Sequence, residues 1–227
     1  MNGDTAANGL LENLRALCPM RETELRLGRF PPFPFWTAVS ADPLLELLAA
    51  KPDDHPDVVD ERMPYWAELW PSARVMAEAI LGADTLPAGP WIELGCGPGL
   101  AGLAARMRGV PGLWTDYAQE ALWLAELNAR ANGFADPHTR MLDWREPPAD
   151  LRANWLLASD VAYEVRHFAP LRACLERLLA PGGELWLGEP GRPVARAFFD
   201  SLQTCGWRSA DLLRIGDVRV LRLTREP

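Results

Sequence analysis

The chain has 227 residues, 48% of them hydrophobic and 24% charged, which is enough for one sizeable core and ordinary for a soluble globular protein. Its formal charge of −8 argues against a broad nucleic-acid surface, because phosphate binding needs clustered positive charge. No apolar run reaches the roughly 18–20 residues of a membrane span, and "MNGDTAANGLLENLRAL" lacks the basic start and apolar centre of a signal peptide.

The first sixty residues read differently from the rest. "TELRLGRF" predicts a short strand, "PPFPFW" a proline-aromatic loop, and "ADPLLELLAA" a short helix with Asp42 as N-cap and Pro43 at its first position. "KPDDHPD" reads as an exposed connection. This stretch is too proline-broken to make a core alone, so residues 1–62 are expected to form a cap on a main domain of residues 63–227.

From Met63 the pattern becomes regular. "PSARVMAEAILG" predicts a helix that Gly82 stops. "WIELG", "GLWTD", "TRMLDW", "NWLLASD" and "GELWLGEP" read as five strands, with helices over "GLAGLAARMRG", "AQEALWLAELNARANG" and "FAPLRACLERLLAPGG" between them. "PVARAFFDSLQTCG" is a further helix, "WRSADLLRI" an antiparallel partner, and "VRVLRLT" a last strand of period-2 alternation. Strand and helix alternate, which predicts an α/β fold: a doubly wound, mostly parallel sheet with helices on both faces. Four cysteines, at 18, 96, 174 and 205, show neither CxxC pairing nor metal spacing. Reduced, mostly buried thiols and a cytoplasmic location are expected. His55, His138 and His167 are isolated and predict no metal site.

"WIELGCGPGLAG" is a buried strand, a tight turn and a helix start, an arrangement that lets backbone close on a nucleotide-like ligand. Gly95, Gly97 and Gly99 supply the turn, with Cys96 as a small filler within it. Leu100 stands where the third glycine of a dinucleotide fingerprint would fall. Glu93, read as facing the same crevice, would repel a pyrophosphate but attract a ligand carrying an amine and a sulfonium. That favours S-adenosylmethionine over a nicotinamide dinucleotide. Asp116, at the second strand's end beside Tyr117, can accept from ribose hydroxyls. Asp143 at the third strand's end can accept from an adenine amino group, and Trp144 can stack on its face.

These segments, "ELGCGPG", "TDYAQEAL…N", "LDW" and "ASDVAYE", resemble the successive motifs of class I S-adenosylmethionine-dependent methyltransferases. More narrowly, "PYWAELWPSARVMAEAIL", "SDVAYE" and "LGEPGRP" are similar to the seven-β-strand branch that includes the lysine methyltransferase of the electron-transfer flavoprotein β-subunit. That branch carries an Asp-x-x-Tyr motif, matched here by Asp160 and Tyr163. The resemblance spans roughly Pro64 to Arg192. It implies a Rossmann-like fold and S-adenosylmethionine as cofactor, bordered by Asp160 and Trp70. It also implies an amine acceptor, first a protein lysine, met by Trp66, Tyr163, Glu189 and Arg192. Asp160 and Tyr163 are the expected catalytic pair: Asp160 orients a neutral amine and Tyr163 walls the entrance. A small-molecule N- or O-methyltransferase and a non-catalytic cofactor-binding partner protein are the alternatives. No nucleic-acid or membrane partner is expected.

Overall fold

The computed structural model describes residues 3–225. It adds a helix that the sequence expectation lacks, α1 (Gly3–Arg15), whose Ala7, Leu10, Leu11 and Leu14 recur at helical spacing. "PPFPFW" is a second difference. With the residues before and after it, the segment forms an antiparallel hairpin, β1 (Met20–Leu25) and β2 (Phe33–Ala38). Proline is tolerated there because of where its missing N–H points. Trp36 turns its backbone N–H and carbonyl to Asn128, at 2.6 and 3.1 Å, and the Pro34 carbonyl accepts from Asn132 at 2.8 Å. Pro34 lies two residues before Trp36 and shares that outer edge, so it costs the β1 ladder nothing. In α2 (Asp42–Ala49) the cap position falls on Ala41, and the free N–H of Asp42 is taken by Ser40 Oγ at 3.0 Å. The expected connection contains one helical turn, α3 (Pro56–Val59), capped by His55 Nδ1 on the Asp57 N–H.

The regular part follows the sequence closely. Helix α4 (Pro71–Gly82) leads into β3 (Trp91–Leu94), α5 (Leu100–Met107), β4 (Gly112–Asp116), α6 (Gln119–Ala131) and β5 (His138–Met141). Then come β6 (Ala153–Ser159), α7 (Phe168–Leu178), β7 (Leu179–Glu189), α8 (Ala195–Thr204), β8 (Trp207–Ile215) and β9 (Val218–Arg225). The sheet order is β5-β4-β3-β6-β7-β9-β8, parallel through β7, with β9 antiparallel to both neighbours. Strand β7 begins at Leu179 rather than Gly183 because Leu179 pairs with Ala153 across a register shift.

Alternation along the strands divides the core. Trp91, Trp114, Trp155, Leu157 and Trp186 face α4, α5 and α6, while Ile92, Leu94, Leu156 and Leu185 face α7 and α8. Trp91, Trp114 and Trp155 are fully buried. Each contributes roughly 4–6 kcal/mol of burial. The first two meet edge to face at 4.9 Å. A Cβ at Gly102 would fall 2.4–2.8 Å from Trp114, Trp91 and Glu93, so glycine lets α5 settle onto them. Strand order reverses between β3 and β6, and their carboxyl ends open the crevice where ligands of such sheets bind.

Candidate active site

Three adjoining cavities, of about 190, 80 and 160 Å³, run along that crevice. Tyr65 and Tyr163 line all three, their rings meeting edge to face at 5.3 Å. The middle cavity is floored by Gly95, Cys96, Gly97, Asp116, Trp144 and Asp160. The largest lies toward Asp143, Trp144 and Arg145, the third toward Trp70 and Arg192.

The glycine turn needs its glycines: Gly95, Gly97 and Gly99 have φ of 60°, 49° and 80°. Asp116 holds it from β4, accepting from the Gly97 N–H and the Ala118 N–H, both at 3.0 Å. Burial pushes its carboxyl up to about 6, against the pull of those amides. Each Asp116 oxygen keeps acceptor capacity beyond one N–H, so a buried acid on the cavity wall remains able to receive hydroxyls. Tyr117 lines the cavities beside it, its phenol raised by burial.

Three expected contacts are corrected. Glu93 does not face the crevice: it is 1% exposed and accepts the Gly102 N–H at 2.9 Å, capping the first turn of α5 from beneath. The N-cap itself is Gly99, which has no side chain to do so. Burial raises the Glu93 carboxyl to about 8. Gly99 likewise lies behind the turn, where a Cβ would stand 2.6 Å from Ala125 Cβ. Glu189 is buried away from the cavities, accepting from Gly191 N–H at 2.8 Å and pairing with Arg219, so it shapes the turn after β7. Trp66, by contrast, does line the middle cavity, with its backbone 3.7 Å from the Cβ position of Gly97, and it also packs with residues of the N-terminal region.

Asp143 lines the first of these three cavities but binds Arg145, at 2.6 and 2.9 Å among its contacts, and that guanidinium holds it below the usual carboxylate range. Arg145 continues to Asp60, at 3.0 Å, tying the segment after α3 across the mouth. Trp144 stands against Gly95, where a Cβ would be 3.3 Å from its ring. Asp160 has a left-handed backbone, φ 56°, fixed by its N–H on the Gly188 carbonyl at 2.8 Å. Its side chain is 5% exposed and grips Arg192 at two points, 2.6 and 2.9 Å. The Arg192 guanidinium lies over the Trp70 ring, 5.5 Å from its centre. Tyr65, Met63 and Arg145 are site residues that sequence reasoning missed. The first two sit in the "MPYW" run before α4, and only its aromatic density signals them.

The donor set fits S-adenosylmethionine: a buried acid for a ribose diol, an indole and Val161 for an apolar ring, and a glycine turn for close backbone approach. Fold and site are those of a class I methyltransferase, the class that uses this cofactor. A family model described as lysine methyltransferase matches residues 65–204, and the chain belongs to that family. A ribosomal protein L11 methyltransferase of Actinobacillus succinogenes is 29% identical over 131 residues, 57% of this chain and 43% of that protein. One of Serratia proteamaculans is 28% identical over 154 residues, 66% of this chain and 51% of that protein. The chain thus spans about half the length of these relatives. Among solved structures, the ribosomal protein L11 methylase of Lactobacillus delbrueckii subsp. bulgaricus superposes with a TM-score of 0.58 at 20% identity, covering 69% of this chain and 79% of that one. The glycopeptide N-methyltransferase MtfA complexed with sinefungin gives 0.52 at 13%, covering 67% and 94%. These likenesses carry the fold.

Proposed function

We propose that this chain methylates an amine, the lysine side chain of a protein, with S-adenosylmethionine as donor. The observation that carries this reading is the acid–aromatic corner of Asp160, Trp70, Tyr65 and Tyr163, which adjoins the glycine turn. An acid nearly out of water beside aromatic faces suits a cationic head group. The bound cofactor supplies a methyl group already activated on a sulfonium. This chain's residues then provide alignment: Asp116 anchors the ribose side, Gly95 and Gly97 bring backbone close, and Trp144 flanks the adenine side. Asp160 orients the acceptor nitrogen, which gives its proton to water at the open mouth before attack. Tyr163 confines the acceptor.

A protein acceptor is favoured by the rim. Tyr65, Val59 and Val165 are 40%, 64% and 65% exposed, and the two valines adjoin the lining residues Asp60 and Glu164. A small acceptor would not reach them. A cytoplasmic location belongs to the same reading, supported by four unpaired cysteines, and among the described residues no helix is long and apolar enough to cross a membrane.

The test combines calorimetry with methyl-labelled cofactor offered to cell protein and to small amines. Micromolar binding of S-adenosylmethionine, about −8 kcal/mol, and label in protein are expected. Asp160→Asn should lower transfer about a hundredfold, about 2.7 kcal/mol, while the protein stays folded. Label confined to small molecules would overturn the protein acceptor, and near-normal turnover in Asp160→Asn would remove that residue's role.

A further inference from the structure

The corner assigned to the acceptor already contains a cation. Asp160 meets Arg192 through both carboxylate oxygens, and the same guanidinium covers Trp70. Aromatic face and buried acid are what a cationic acceptor would be offered, and the chain's own side chain takes both. The other acid lining this cavity, Glu164, is engaged by Arg166 at 2.6 Å and faces His167 at 3.5 Å. Asp160 is therefore the acid left for an acceptor, and an acceptor reaches it only by replacing Arg192.

Arg192 is placed for such an exchange. Its side chain is 35% exposed, against 5% for Asp160, so the head group borders water while the carboxylate does not. Its backbone follows Gly191, at φ 79°, in a turn held by Glu189 rather than by the guanidinium. The arginine can thus leave without unmaking the turn. Asp160 cannot be left alone, because an unpaired carboxylate out of water is strongly unfavourable.

We propose that Arg192 is a stand-in cation and the residue that sets acceptor charge: a cationic amine exchanges with it on Asp160, whereas a neutral acceptor cannot. This rests on the amine-acceptor reading above. Exchanging one cation for another keeps the carboxylate neutralised while the acceptor enters. A hydroxyl, an amide or a nucleobase would strand it, so selection falls on charge before geometry. The amine arrives as its ammonium and loses the extra proton to water before any bond to carbon forms.

The probe is n-butylammonium, a lysine side-chain mimic, titrated by NMR into the wild type, Arg192→Met and Arg192→Lys, with n-butanol as neutral control. Removing the competing cation should tighten n-butylammonium binding about tenfold or more in Arg192→Met. Arg192→Lys, which keeps a competitor, should stay near wild type, and n-butanol should not respond in any of them. Equal or weaker n-butylammonium binding in Arg192→Met would overturn the proposal and make Arg192 a support for Asp160. S-adenosylhomocysteine binding reports folding of each variant, and Arg192→Gln replaces Arg192→Met if the latter fails that check. The outcomes separate cleanly. A wild type that binds no S-adenosylhomocysteine defeats the methyltransferase reading, whereas intact cofactor binding with unchanged n-butylammonium affinity defeats the exchange alone.

Discussion

The two sides of the crevice solve the same problem in different ways. On the β3–β4 side, Glu93 and Asp116 are buried acids met by backbone N–H groups of Gly102, Gly97 and Ala118. On the β6–β7 side, Asp160 and Glu189 are buried acids met by Arg192 and Arg219, whose side chains remain about one third exposed. Backbone amides are fixed by the fold and carry only partial charge, so burial raises both acids on the first side. Guanidinium groups carry full charge on flexible stems.

If that contrast holds, pH should act mainly through the first side. The largest effect expected is on stability. Glu93 titrates near 4.5 when unfolded and at about 8 when folded. Its folded carboxyl holds a proton more tightly, so the contribution is complete below the unfolded value and disappears as pH rises through about 8. The span corresponds to several kcal/mol. Urea midpoints of the wild type should fall across that window. Glu93→Gln keeps an acceptor for Gly102 but no charge, and its midpoints should be level between about 6 and 8, above the range in which Asp116 still contributes. A Glu93→Gln profile parallel to the wild type would show that the amides and the helix dipole meet the charge in full.

A smaller effect follows for the cofactor. Asp116 must be ionised to serve as a strong acceptor, and its folded carboxyl lies at about 6. Affinity for S-adenosylhomocysteine should hold steady above that value and weaken about tenfold by one unit below it. Asp116→Asn should remove the dependence along with much of the affinity. Calorimetry across this range decides it, and an unchanged wild-type affinity at the acid end would place the ribose elsewhere.

The contrast also explains what was legible in the sequence. Glycines and strand ends of the first side are written in short-range pattern, so "WIELGCGPG" gave both its elements and its place at the switch point. The direction of Glu93 was not legible, because it depends on α5 settling over β3 through Gly102, a contact between faces rather than along the chain. On the second side the Asp-x-x-Tyr spacing found Asp160 and Tyr163, yet their partners lie far off. Arg192 is 32 residues from Asp160, and the roles of Glu189 and Arg192 separate only once β9 brings Arg219 to one of them. Local rules make a short strand of "TELRLGRF" but a loop of β2, because they demote a proline-rich strand. Asn128 and Asn132, which take its outer edge, are about 90 residues or more away.

Tyr163 gives the smallest expected effect and the sharpest reading of the second side. Its ring touches Tyr65 at 5.3 Å and His167 at 6.2 Å, both edge to face, and burial keeps its phenol protonated far above neutral pH. A phenol so held is no base for an ammonium, and under the proposed function its part is the wall its ring makes. Tyr163→Phe preserves that ring and should cost threefold or less, under about 1 kcal/mol, whereas Tyr163→Ala opens the corner and should cost about tenfold or more. The loss in Tyr163→Ala should appear mainly as a raised KM for the amine, since the ring confines the acceptor rather than reacting with it. A Tyr163→Phe variant as damaged as Tyr163→Ala would transfer the role to the hydroxyl and make this side, like the first, a matter of fixed polar contacts.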